Sequence, residues 1–126
     1  MKEVFVKDAP KAIGPYCHAM KVHGLMFCSG QTPLDPETMK IIGKNIEDQT
    51  LRVLKNLTIV LAEENLTLKD IVKTIVYLKN MEDFERMNKV YANMFDGHKP
   101  SRTTISIKQN PLDALVEIEC IAELKL

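Results

Sequence analysis

Arg102, in the run Pro100-Ser101-Arg102-Thr103-Thr104-Ile105, opens an alternating strand, Thr104-Ile105-Ser106-Ile107, just after a proline that halts the preceding helical pattern. Further on, a second strand, Val116 to Leu124, carries Glu117 near its start. A guanidinium at the start of one strand and a carboxylate on the next could bind a small anion and aim a water at it. The arginine fork grips a carboxylate through two parallel N–H···O bonds, which lysine cannot do. The same pair could instead be an exposed ion pair worth about 0–1 kcal/mol. Spacing alone leaves both readings open.

Other residues are weaker candidates. Ser29-Gly30-Gln31 follows an apolar strand and reads first as a tight turn, whose free N–H groups could also receive an anion. Tyr16, after Gly14-Pro15, is a loop tyrosine that simple packing would explain. Met81, Met87 and Met94 fall at helical spacing and read as core. Cys17, Cys28 and Cys120 are widely spaced without a C-x-x-C, and read as small buried hydrophobes in a reducing compartment. His18, His23 and His98 show no ligand spacing, and no glycine-rich phosphate loop is present.

The elements that must position these residues follow from periodicity. Glu3 to Lys7 alternates as a short strand; His18 to His23 and Leu25 to Ser29 flank Gly24 as a hairpin. A long irregular connection, Thr32 to Lys44, contains Pro33, Pro36 and Gly43. Asn45 with Asp48 three residues later predicts a helix start, and Leu51, Leu54, Leu57 and Leu61 carry the helix to about Asn65. The β-branched run from Asp70 to Lys79 predicts a buried strand. Asn80 is expected to cap a second helix bearing Phe84, Met87, Val90, Tyr91, Met94 and Phe95, ending near Gly97. The order is β-β-β-α-β-α-β-β. One apolar face per helix predicts an α+β fold, with both helices on the same side of a mixed sheet. Ile71, Ile75, Tyr77 and Ile121 then look like surplus apolar strand surface, which predicts burial against another subunit.

Composition bounds the rest. The 126 residues form one domain, 1–126, with hydrophobic and charged content of 45 % and 27 %. Seventeen basic and seventeen acidic residues cancel, which argues against a dedicated nucleic-acid binder. No apolar run is long enough for a membrane span, and the acid-containing amino terminus does not read as a signal peptide; the cytoplasm is the default.

Four segments, taken in order, resemble the reactive imine deaminase family, also called RidA or YjgF and once described as L-PSP endoribonucleases or translation inhibitors. They are Ala12-Ile13-Gly14-Pro15-Tyr16, Phe27-Cys28-Ser29-Gly30-Gln31-Thr32-Pro33, Asn88 to Tyr91, and Pro100-Ser101-Arg102 leading to Val116-Glu117-Ile118-Glu119. The resemblance implies a chorismate-mutase-like fold and a homotrimer with a pocket at each subunit interface. The implied activity is that of a 2-iminobutanoate/2-iminopropanoate deaminase. It hydrolyses 2-imino acids, such as 2-iminopropanoate formed from 2-aminoacrylate, to 2-keto acids and ammonia, with no metal or cofactor. Arg102 would hold the substrate carboxylate and Glu117 would deprotonate a water. Tyr16, Ser29 and the Gly30 backbone would line the pocket, Asn88 would shape it, and the Thr104 carbonyl would help retain the imine proton. Many members of the deaminase subgroup have Cys where this chain has Thr104, so no thiol contribution is expected there. An endoribonuclease and a non-catalytic metabolite-binding trimer are the alternative readings.

Overall fold

In a computed structural model, which describes residues 1–125, six strands build one sheet. They are β1 (Lys2–Val4), β2 (Ala19–Val22), β3 (Leu25–Gln31), β4 (Ile71–Leu78), β5 (Ser101–Ser106) and β6 (Val116–Glu123). Two helices, α1 (Ile46–Ala62) and α2 (Phe84–Phe95), complete the order the periodicity predicts. The spatial order is β1-β2-β3-β6-β4-β5; β4 and β5 run parallel and every other neighbouring pair is antiparallel.

This topology explains why both helices share one face. β3 and β4 are each antiparallel to β6, so they are parallel to one another and α1 is a crossover between them. α2 is the next crossover, from β4 to β5, and continues toward the same edge. Such connections are right-handed almost without exception, so two that travel the same way lay their helices on the same side. There α1 and α2 pack on each other.

The core lies between helices and sheet. From α1 it takes Val53, Leu54, Leu57, Val60 and Leu61, and from α2 Met87, Tyr91 and Phe95. Val116, Ile118, Cys120 and Ala122 alternate inward from β6 against Val76 and Leu78 of β4. Cys28 and Cys120 are register partners within this layer and serve as buried apolar groups. Asn45 caps α1 as its spacing predicts, its Oδ1 accepting the Asp48 N–H at 2.8 Å.

Some boundaries differ from expectation. β1 is shorter than Glu3 to Lys7, and β5 begins at Ser101, so Arg102 lies inside the strand instead of before it. Asn80 does not cap α2: a 3₁₀ turn, Met81–Asp83, intervenes and the Asn80 side chain makes no capping bond. Ile71 is not surplus surface. A register shift between Ile71 and Lys73 turns it into the core, opposite Ala122. Ile75, Tyr77 and Ile121 do lie on the uncovered face, with Phe27 and Ile105 exposed on that same side.

The segment after β3 is held from beneath by Asn56, which is fully buried on α1. Its Nδ2 donates to the carbonyls of Thr32 and Leu34 at 3.1 and 2.9 Å. Its Oδ1 accepts twice from Arg52. Asn56→Ala strands the buried Leu34 carbonyl, while the Thr32 carbonyl keeps the Leu34 N–H, and is expected to cost about 1–3 kcal/mol, read as a lower denaturant midpoint.

Candidate active site

The sheet sorts the candidate residues into two groups. Arg102 aligns with Thr74 and Thr104 with Val76, both helix-facing positions of β4, so Arg102 and Thr104 point beneath α2. Phe84, Asn88 and Tyr91 recur at helical spacing on the facing side of that helix. The Arg102 guanidinium carbon lies 4.8 Å from the Tyr91 ring centroid and 5.6 Å from that of Phe84. Cation–π attraction fixes the guanidinium without consuming its N–H groups. Tyr91 is fixed in turn, its hydroxyl sharing a 2.7 Å hydrogen bond with that of Thr74. Burial pushes the Tyr91 hydroxyl above the ordinary tyrosine value, so it stays neutral.

Among the described residues Arg102 has no carboxylate partner and donates no hydrogen bond to a protein acceptor. A cavity of about 250 Å³ opens beside it, bordered by Tyr91, His98 and Lys99. Asn88 Oδ1 and Thr104 Oγ1 are closed to solvent and have no partner within the described chain.

The second group lies elsewhere. Inward alternation of Val116, Ile118 and Cys120 leaves Glu117 on the uncovered face of β6. The register between β3 and β6 jumps between Cys28 and Gln31, a bulge that presents Ser29 and Gly30 to it. A Cβ at Gly30 would lie 3.0 Å from the Glu117 carboxyl carbon, so glycine is what lets the carboxylate approach the backbone. Ser29 Oγ donates to the Cys17 carbonyl at 2.8 Å, tying the Tyr16 loop to the bulge. Tyr16, Cys17, Ser29, Phe5 and Lys11 border a cavity of about 740 Å³.

Burial, and then the neighbouring Glu119, hold the Glu117 carboxyl above the usual carboxylate range. Tyr77 donates a short hydrogen bond to Glu119 Oε1. That bond, with burial, raises the Tyr77 hydroxyl to about 12.

His18, which showed no ligand spacing, proves to be the clamp of the Tyr16 loop. Its Nδ1 accepts the Val6 N–H at 2.9 Å, which makes the ring neutral with its proton on Nε2, donating to the Pro10 carbonyl at 2.7 Å. Both partners are reached through folding of the loop, and no local spacing signals them.

The two groups do not meet within one chain. Arg102 and Glu117 stand two strands and three residues apart in register, about 14 Å between Cα atoms, and face opposite sides of the sheet. An Arg102–Glu117 ion pair inside the chain is thereby ruled out. Tyr16, Ser29, Gly30 and Glu117 assemble on one surface, Asn88, Arg102 and Thr104 on another.

The mixed-sheet α+β chain thus carries a guanidinium, unpaired among the described residues, at one edge and a carboxyl of raised pKa on its open face, on two separate surfaces. The model of the endoribonuclease L-PSP family matches residues 6–124, and the chain belongs to that family, also known as RidA/YjgF. A RutC family protein of Saccharolobus solfataricus is 45 % identical over 98 % of each chain. The chloroplastic Reactive Intermediate Deaminase A of Arabidopsis thaliana is 41 % identical over 96 % of this chain and 65 % of its own length. Among solved structures, TdcF of E. coli with bound serine superposes with a TM-score of 0.93 at 33 % identity, covering 99 % of this chain and all of the other.

Proposed function

We propose that the protein is a deaminase that hydrolyses small 2-imino acids to 2-keto acids and ammonia, acting as a cytoplasmic homotrimer of 1–126 domains whose sites are completed between subunits. The observation that carries this reading is the division of the site. A guanidinium with free N–H groups and a carboxylate of raised basicity can serve one substrate only if two chains meet. Setting the β5 edge of one copy against the open sheet face of the next is a heterologous contact, which closes into a ring when the rotation permits. It would also cover Phe27 and Ile105, whose exposure a lone chain leaves unexplained, together with half-buried Ile121. The deaminase name of the plant relative and the serine bound to TdcF support a small amino-acid-derived ligand.

In this mechanism Arg102 takes the substrate carboxylate in two parallel bonds and fixes the pose. Glu117 of the adjoining subunit removes a proton from a water as its oxygen bonds to the imine carbon. The C=N electrons go to nitrogen, and the proton held on Glu117 passes to that nitrogen. Glu117 then passes the hydroxyl proton of the resulting carbinolamine to the nitrogen, and the C–N bond breaks as the keto C=O forms, releasing ammonia. Tyr16, Ser29 and the Gly30 backbone line the pocket, Asn88 shapes it, and the Thr104 carbonyl helps retain the imine proton.

Sedimentation is expected to give three times the 14.3 kDa chain mass; a stable monomer at micromolar concentration would exclude the divided site. Subunit mixing tests it directly. Inactive Arg102→Lys and Glu117→Gln preparations, unfolded together and refolded, are expected to recover about a quarter of wild-type sites, because each needs an intact residue from each of two neighbours. Imine disappearance behind a pyridoxal-phosphate enzyme is the readout, with RNA cleavage assayed in parallel. RNA cleavage without imine turnover would favour the endoribonuclease reading instead, and keto-acid binding without either would favour a metabolite-binding trimer.

A further inference from the structure

We infer that Glu119, tethered by Tyr77, is a positioning residue that sets the basicity of Glu117. This rests on Glu117 being the base proposed above. Glu117 and Glu119 are two apart on β6, so both project from the uncovered face about 7 Å apart. Tyr77 on β4 is the register partner of Glu117, yet its hydroxyl reaches diagonally to Glu119 Oε1. The tyrosine therefore spans the space beside the base and fixes the second carboxylate at a constant distance from it.

Within one chain the surroundings leave Glu119 as the nearest charge. In the divided site proposed above, the partner subunit's Arg102 also faces Glu117, and it is the same in the wild type and in both variants below. β3 brings Ser29 and Gly30 to Glu117 and no charge. From β4 come Tyr77, Lys73, which aligns with Ile121 near the other end of β6, and beyond the strand Lys79, whose ammonium is held by Asp113 at 2.9 Å. β5 adds Thr103 and Ile105 on that side. Neither Glu117 nor Glu119 forms an ion pair among the described residues. Glu119 accordingly stands next to burial in holding the Glu117 carboxyl up. Tyr77 remains a protonated donor throughout the working range, since its hydroxyl is raised to about 12. That donor therefore stays aimed at Glu119 Oε1 and holds the second carboxylate in place beside Glu117.

The signs fix the test. Glu117 works as a base when ionised, so activity rises with pH through its pKa, and a fixed neighbouring charge moves that rise upward. Glu119→Gln is expected to shift the acid limb of the kcat/KM profile down by about half to one pH unit, as expected for a unit charge about 7 Å away on a partly hydrated surface. Tyr77→Phe keeps the charge and frees its tether, and should move the limb the same way by less. Keto-acid affinity at neutral pH should change by less than twofold in both, since neither residue belongs to the Arg102 group. Glu117→Gln is measured on parallel preparations. If it is inactive while the Glu119→Gln limb stays put, the inference is overturned and the base stands. If Glu117→Gln is fully active, the base assignment fails and this inference with it. Should Glu119→Gln not assemble, Tyr77→Phe reads the same limb, and an unmoved limb there overturns the inference.

Discussion

Arg102→Lys is expected to lower imine hydrolysis by at least about a hundredfold, with the assembly state and melting temperature close to those of the wild type. The structural environment makes this substitution discriminating. Arg102 presents a flat guanidinium to Tyr91 and Phe84, at 4.8 and 5.6 Å, and has no acid partner among the described residues. A lysine ammonium can occupy the same aromatic surface, so packing and charge are largely kept. The planar fork is lost, and with it the two-point hold on a carboxylate. A displacement of about 1 Å at the reacting carbon is enough to cost about a hundredfold in rate. Rate and fold are read on one preparation, by coupled imine assay and thermal melt. Near-normal turnover in the lysine variant would place the carboxylate grip elsewhere.

Much of the fold was legible because β6 and α1 follow simple periods. Val116, Ile118, Cys120 and Ala122 alternate without interruption, and Leu54, Leu57 and Leu61 mark one helical stripe. That alternation already places Glu117 on the face away from the helices. β5 misleads. Its apolar residue, Ile105, is exposed, while Arg102 and Thr104 face α2, because this edge strand borders a cavity and turns polar groups, not apolar ones, toward the helix. Ile71 looked like its β-branched neighbours, and only the register shift at Lys73 distinguishes it. The separation of Arg102 from Glu117 could not be read locally at all. It depends on β6 inserting between β3 and β4, a long-range pairing with no signature in either strand. Adjacent strands in sequence therefore suggested neighbouring side chains, and the sheet order put a whole strand between them.

Glu117→Gln should abolish most turnover without weakening the protein. The change keeps the shape of the side chain and removes its capacity to take a proton, so a fall of about 10²–10⁴-fold is expected if Glu117 is the base. Stability should move the other way. Burial and Glu119 raise the folded-state pKa of Glu117 above its unfolded value. A carboxyl raised in this way contributes stability that is complete below the ordinary carboxylate value and is lost as pH rises through the higher folded value. At neutral pH the ionised group is therefore a cost to the folded state, and a neutral amide relieves it. The melting temperature of the glutamine variant at pH 7 is expected to equal or exceed that of the wild type. The difference should vanish below about pH 4, where the wild-type carboxyl is protonated in both states. A purely structural Glu117 makes the opposite forecast on both axes, with a lower melting temperature and unchanged turnover per folded chain. Keto-acid binding separates base from ligand. With a negative charge removed beside the pocket, affinity for the product anion should hold or rise, whereas a tenfold loss would mean that Glu117 contacts the product and does not simply activate water.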